Sequence, residues 1–128
     1  MTLGTEAFRL VRNNQMAKGD VLTVAQLAGI TGAKETSRLI PLCHPLPLTS
    51  VQVDLRLEEV GHRVVIVSDV TTRGQTGVEM EALTAVTIAA LTVYDMVKAV
   101  TRHAEIGHVR LLSKTGGSRP DFHLPTSP

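Results

Sequence analysis

Apolar positions change their period twice along this chain of 128 residues. Near the start, Ala7, Leu10 and Val11 fall on one face at helical spacing, which predicts a helix from Glu6 to Asn14 with Thr5 as its cap. Lys18-Gly19-Asp20 reads as a turn, and Asp20 as the cap of a second helix carrying Val21, Val24, Ala25, Leu27 and Ala28 to about Ile30. Thr31-Gly32 interrupts that pattern, and a third helical stretch is expected from Ala33 to Leu39, ended by Pro41. From Val51 the period falls to two. Val51, Val53, Leu55 and Leu57 alternate with Gln52, Asp54, Arg56 and Glu58, which predicts a strand with one wet face. Glu58 to His62 then forms the turn of a hairpin whose returning strand is expected over Val64 to Val70.

The longest expected element, Val78 to His103, contains no Gly or Pro and is apolar over most of its surface. Such a helix is buried on more than one side, and in so short a chain the second side is expected to pack on a partner subunit. Val109 to Leu112 is expected as a last strand. Residues 113–128, rich in Gly, Ser and Pro, are expected as a loop and flexible tail. The order is helices, hairpin, long helix, strand. It predicts a single α+β domain over residues 1–128, with helices packed on one face of an antiparallel sheet.

Composition narrows the function classes. A hydrophobic fraction of 43% with only 2% aromatic residues calls for an aliphatic core. A net charge of +1, one Tyr, two Phe and no Trp supply neither the field nor the stacking surface that nucleic acid binding uses. No apolar run is read as long enough to span a bilayer, and the first residues carry no signal-peptide pattern, so a cytoplasmic protein without membrane contact is expected. A single cysteine cannot form an internal disulfide, which is consistent with a reducing compartment.

Several segments could carry chemistry. Ile40 to Leu48 holds Pro41, Pro45 and Pro47 around Cys43 and His44. A loop with so little backbone freedom suits a binding site. A small buried Cys43 and a hydrogen-bonded structural His44 account for the same residues. A metal centre is not expected, because adjacent residues of an extended loop point apart and the other histidines lack ligand spacing. Glu79 and Glu81 flank Met80 at the start of the long helix, where the helix dipole favours carboxylates. Together they could also hold the amino and imino groups of a base or pterin-like ring. Asp95 and Lys98 stand i, i+3 and can pair. An ordinary surface pair is worth less than ~1 kcal/mol. These two lie among Leu91, Val93, Tyr94, Met96 and Val97, which marks them as acid–base candidates. Glu81 and Asp95 are about 21 Å apart along a straight helix. One small substrate reaches both only at its extremes, or else the site combines two chains. Lys114-Thr115-Gly116-Gly117-Ser118 and Gly74-Gln75-Thr76-Gly77 each have the glycine-rich character of an anion-holding loop, and neither matches a P-loop.

Four strings taken together resemble one family. They are Lys18-Gly19-Asp20-Val21, Leu39-Ile40-Pro41-Leu42-Cys43-His44-Pro45-Leu46, Thr76-Gly77-Val78-Glu79-Met80-Glu81-Ala82-Leu83-Thr84-Ala85 and Tyr94-Asp95-Met96-Val97-Lys98-Ala99. They resemble the cyclic pyranopterin monophosphate synthase (MoaC) family of molybdenum cofactor biosynthesis, over roughly residues 6 to 122. The resemblance implies a ferredoxin-like fold, assembled as a homohexamer of three dimers with the site at a subunit interface. It implies 3′,8-cyclo-7,8-dihydro-GTP as substrate, supplied by a radical SAM GTP cyclase, with cyclic pyranopterin monophosphate and pyrophosphate as products. By position, Asp95 and Lys98 resemble the catalytic residues. Leu42, Cys43, His44, Glu79, Met80 and Glu81 resemble substrate-binding residues, and Lys18 and Lys114 resemble site lysines expected to face the triphosphate. No redox cofactor is implied, and Mg²⁺ on the substrate phosphates is compatible with the chemistry. The chain departs from the family pattern in three places. It begins after the segment that carries the family's usual first strand. Gln75 stands where Lys is usual, and Ser118-Arg119-Pro120 replaces a basic, glycine-containing loop. The alternative reading is a non-catalytic nucleotide-binding paralogue or subunit with the same fold.

Overall fold

Asp20 closes the first turn of the helix it precedes: its carboxylate accepts from the Thr23 backbone N–H at 3.2 Å and from the Thr23 hydroxyl at 2.8 Å. In the computed structural model, which describes residues 1–125, this helix, α2 (Val21–Lys34), follows α1 (Thr5–Arg12) and leads into the single turn α3 (Thr36–Leu39). The strands β1 (Leu48–Glu58) and β2 (Arg63–Thr72) form the antiparallel hairpin, with Val53 opposite Ser68 and Leu57 opposite Val64. The long helix is α4 (Glu79–Val97). A short ladder, β3 (Ser113–Lys114) with β4 (Phe122–His123), closes the described chain.

The hairpin behaves as its alternation predicts. Val53 and Val64 are buried, while Gln52, Asp54, Arg56 and Asp69 face water. On the inner face, α2 covers β1 and α4 covers β2. The core is aliphatic: Ala25, Val53, Val64, Ala85, Ala89, Val93 and Val97 lose essentially all exposure. Phe8 from α1 is the one large ring in it, tilted against His62 at 5.2 Å between ring centroids.

Several boundaries differ from the sequence expectation, each for a tertiary reason. α1 takes Thr5 into its first turn behind Gly4, with no side-chain cap, and ends at Arg12 as Asn14 turns left-handed at φ 52. α2 does not stop at Ile30. It runs through Thr31 and Gly32 to Lys34, absorbing the residues expected to begin the third helix. A Cβ on Gly29 would stand 2.9 Å from the Ala85 carbonyl oxygen and 3.1 Å from Val53 Cγ1, and one on Gly32 would stand 2.9 Å from Ile88 Cγ1. The glycines that cost an isolated helix about 1 kcal/mol each are what let α2 lie this close to α4.

α4 ends at Val97, not His103. The chain turns there, with Val100 and Thr101 N–H bonding back to the Val97 carbonyl, so that Ala104 enters the core and Glu105 reaches Thr2. By length and composition α4 could cross a membrane, which corrects the expectation that no segment reaches that length. Its buried faces pack on α2 and the hairpin, and that packing accounts for its apolar character. Val109 to Leu112 forms no strand, since His108 is left-handed at φ 58 and no row lies beside the segment among the described residues. Within the expected tail, β3 pairs with β4, made possible by reversal through Gly116 and Gly117, at φ 77 and φ 79, and the Leu124 N–H extends the contact to the Leu112 carbonyl. The expected flexible end at 126–128 lies outside the described residues.

The first three residues also pair. Met1 exchanges both backbone hydrogen bonds with Val64, Thr2 exchanges both with Glu105, and the Leu3 N–H donates to the His62 carbonyl. This alternation of sides is that of a strand lying between two others.

Gly29→Ala is expected to destabilise the fold by about 2 kcal/mol, because the new methyl presses on backbone that cannot move without separating the helices. Urea denaturation, with an unchanged m-value, measures it.

Candidate active site

Lys18 ends the loop before α2, and Asp95 and Lys98 lie in and just after the last turn of α4. α2 and α4 run antiparallel, with Gly29 against Ala85 and Ala89, so the start of α2 meets the end of α4. The Asp95 carboxylate is therefore shared by two ammonium groups: Lys98 Nζ lies 2.8 Å from Oδ1 and Lys18 Nζ 2.9 Å from Oδ2. All three side chains are about half exposed, so they are open to a ligand and screened by water. The hydrogen bond from Lys98 and then that from Lys18 draw the Asp95 carboxyl down to about 2. At neutral pH it carries no proton to give. The sequence placed Lys98 beside Asp95. The family resemblance marked Lys18 as a site lysine expected to face the triphosphate, but nothing local joined it to Asp95, 77 residues away.

The other end of α4 gathers a second set of groups. Glu81 is 4% exposed, and its carboxyl is pushed up by burial and, less strongly, by the neighbouring charge of Glu79. Met80 is exposed beside it. The turn at Gly77 and the loop at Gly116-Gly117, two separate weak anion signals in the sequence, touch one another. A Cβ on Gly117 would stand 2.8 Å from the Gly77 nitrogen and 3.4 Å from Lys114 Nζ. A Cβ on Gly77 would collide with Glu79 Oε1 and lie 3.1 Å from Lys114 Cε. At Gly117, left-handed at φ 79 and pressed on the Gly77 backbone, only glycine fits, whereas at Gly77 the atoms met are the ends of the Glu79 and Lys114 side chains. Lys114 Nζ donates to the Arg119 carbonyl at 3.0 Å and approaches the Pro120 carbonyl at 3.5 Å, which fixes the β3–β4 turn. Gly77, Glu79, Lys114 and Gly117 line the same open cavity of about 920 Å³. The cavity extends along β2 and residues 106–112, and it includes neither Asp95 nor the Cys43 loop.

The Pro-rich loop leaves α3, which packs on α4. It begins with a tight turn, the Cys43 N–H donating to the Ile40 carbonyl at 3.1 Å, and ends where the Thr72 hydroxyl donates to the Pro47 carbonyl at 2.7 Å. Leu42 is 93% exposed, Cys43 is a half-buried free thiol and His44 is exposed. Packing within the chain therefore does not explain Leu42 or His44. No set of three or more His, Cys, Asp or Glu residues arranged to hold a metal occurs among the described residues.

The sequence-derived candidates thus fall into three groups within one chain: the Lys18–Asp95–Lys98 cluster, the Glu79–Glu81 end with Lys114, and the Leu42–His44 loop. The two carboxylate-bearing ends of α4 remain about 21 Å apart.

The depressed Asp95 carboxyl makes a signed prediction. Its folded value lies below its unfolded one, so the contribution of the ionised form to stability is complete above pH ~4 and is lost as pH falls toward ~2. Carboxyl-detected NMR should show Asp95 titrating near the low end of that window. Lys98→Met, and more weakly Lys18→Met, should return it toward the ordinary carboxylate range. An unchanged titration in both variants would refute the clamp.

Comparison with known proteins places the chain in a family. The model of the MoaC family matches residues 1–117. The cyclic pyranopterin monophosphate synthase of Heliobacterium modesticaldum is 59% identical over 112 residues, covering 88% of this chain and 70% of that protein. That of Cereibacter sphaeroides is 55% identical over 94% of this chain and 76% of its own length. Molybdenum cofactor biosynthesis protein 1 of Mus musculus is 59% identical over 94% of this chain, which spans only 19% of that longer protein. With the family model matched over most of its length, this chain belongs to the MoaC family.

Proposed function

We infer that the chain is a lyase of molybdenum cofactor biosynthesis that converts 3′,8-cyclo-7,8-dihydro-GTP into cyclic pyranopterin monophosphate and pyrophosphate. The observation that carries this reading is the Asp95 carboxylate held between Lys18 and Lys98 at one end of a MoaC-family helix.

The conversion opens the imidazole-derived ring, closes a pterin ring and joins a ribose-derived hydroxyl to the α-phosphorus. That last step forms one P–O bond and breaks the α–β phosphoanhydride, with the electron pair leaving on pyrophosphate. The sequence is redox-neutral, so proton movement and charge stabilisation suffice, and no redox cofactor is required. Mg²⁺ carried on the substrate phosphates is compatible with it. Asp95, ionised far below neutral pH, fixes two ammonium groups side by side at the opening of α2. Lys98 and Lys18 are the proton donors and the stabilisers of developing negative charge. Glu79 and Glu81 suit the amino and imino edge of the guanine-derived ring, and Lys114 suits the phosphates.

The span between these groups favours a site shared by two chains, in which Leu42 and His44, exposed in the monomer, form part of the wall. A homohexamer of three dimers supplies such interfaces. The ferredoxin-like reading is supported by Met1–Leu3, which pairs with β2 on one side and with Glu105 on the other. The supplier of substrate is a radical SAM GTP cyclase, and the setting is cytoplasmic.

The purified chain should form the pyranopterin from the cyclised dihydro-GTP. Asp95→Asn and Lys98→Ala should each lower turnover by at least ~10³-fold while leaving the thermal midpoint within a few degrees. A chain that binds GTP yet makes no product would instead be a non-catalytic paralogue. The shared-site reading is checked separately by light scattering: a stable monomer under assay conditions would end it.

A further inference from the structure

The open end of the hairpin is out of step. Leu48 faces Thr72 and Ser50 faces Thr71, so Thr49 is an extra residue, and its hydroxyl donates to the Thr71 carbonyl at 3.2 Å. The Pro-rich loop enters β1 here, and the turn from Gly74 to Gly77 leaves β2 for α4. Thr72, the last residue of β2, joins the two. Its hydroxyl donates to the Pro47 carbonyl at 2.7 Å and accepts from the Gly74 N–H at 3.2 Å. A hydroxyl has one proton to give, so Pro47 takes the proton and Gly74 is held by a lone pair.

The loop depends on this bond for a chemical reason. Pro45 and Pro47 have no N–H, and a segment short of donors is held by what its carbonyls accept. Pro47 follows His44 after Pro45 and Leu46, so two ring-fixed φ angles carry its position back to His44. On the other side, Gly74 leads through Gly77 to Glu79, which opens α4. One hydroxyl thus ties together two segments that the sequence offered as separate candidates.

We propose that Thr72 is a positioning residue for substrate binding: its hydroxyl fixes the Leu42–His44 loop relative to the turn into Glu79, so that both segments meet the substrate already ordered. This role rests on the lyase reading above and adds to it a residue that acts through its neighbours. Without the tie, the two segments must be ordered at the moment of binding, and that cost falls on affinity. Asp95 and Lys98 lie at the far end of α4, so the chemical step keeps its acid–base groups. The loss therefore belongs in KM and not in kcat. A hydroxyl that merely tidied a strand end would change stability and leave KM alone.

The test compares two variants of the whole chain. Thr72→Val keeps the branched shape and the strand propensity and loses both bonds, while Thr72→Ser keeps the hydroxyl. Thr72→Val should raise KM for the cyclised dihydro-GTP by about tenfold with kcat within about twofold, and Thr72→Ser should stay within about threefold of the parent in both. In isotope-labelled protein without substrate, Thr72→Val should shift the amides of His44, Gly74 and Gly77 together, and Thr72→Ser should leave them near their parent positions. An unchanged KM in Thr72→Val would overturn the proposal, and so would a Ser variant as weak as the Val variant, since the methyl and not the hydroxyl would then matter. A parent protein that makes no product would end the lyase reading by itself. The amide shifts decide the tie independently of turnover: a His44 amide that stays in place in Thr72→Val would overturn it.

Discussion

The close approach of α2 and α4 at Gly29 and Gly32 is the contact on which the rest of this structure depends. With nothing larger than hydrogen at those positions, α2 lies against the Ala85 carbonyl and the Ile88 side chain. An antiparallel pair of helices at that distance brings the start of α2 to the end of α4. Lys18 and Asp95, far apart in sequence, become hydrogen-bonding neighbours as a result. The same packing buries Ala85, Ala89 and Val93 and fixes the inner face on which the hairpin lies.

α4 thus does two things at once. Its middle is core, and its two ends carry charge. At its beginning, Glu79 and Glu81 stand beside the glycine contact between Gly77 and Gly117. At its end, Asp95 is drawn down by two lysines. A helix of 19 residues is too long to bring both ends to one small molecule. A substrate bound within one chain reaches both ends only at its own extremes. Leu42 and His44 are exposed, so packing within the chain does not account for them.

Much of this was legible in the residues themselves. The alternation from Val51 to Leu57 specified a one-faced strand, because a period of two admits little else. Asp20 specified where α2 begins, since its carboxylate supplies a local bond. The spacing of Asp95 and Lys98 specified their pairing, because i, i+3 residues are neighbours on any helix. The strings around Cys43, Glu81 and Asp95 carried the family. Tertiary structure decided what local rules cannot see. Thr31-Gly32 looked like an end of helix, yet α2 runs through it and Gly32 packs on Ile88, because the gain from packing outweighs the loss of helix propensity. The end of α4 moved from His103 to Val97, because Ala104 and Glu105 are needed elsewhere. Val109 to Leu112 had the residues of a strand, but among the described residues no strand pairs with it beyond the single bond from the Leu124 N–H to the Leu112 carbonyl, and a strand exists only where another backbone shares a row of hydrogen bonds with it. Lys18 gave no local sign of its partner, since the distance that matters runs through the core and not along the chain.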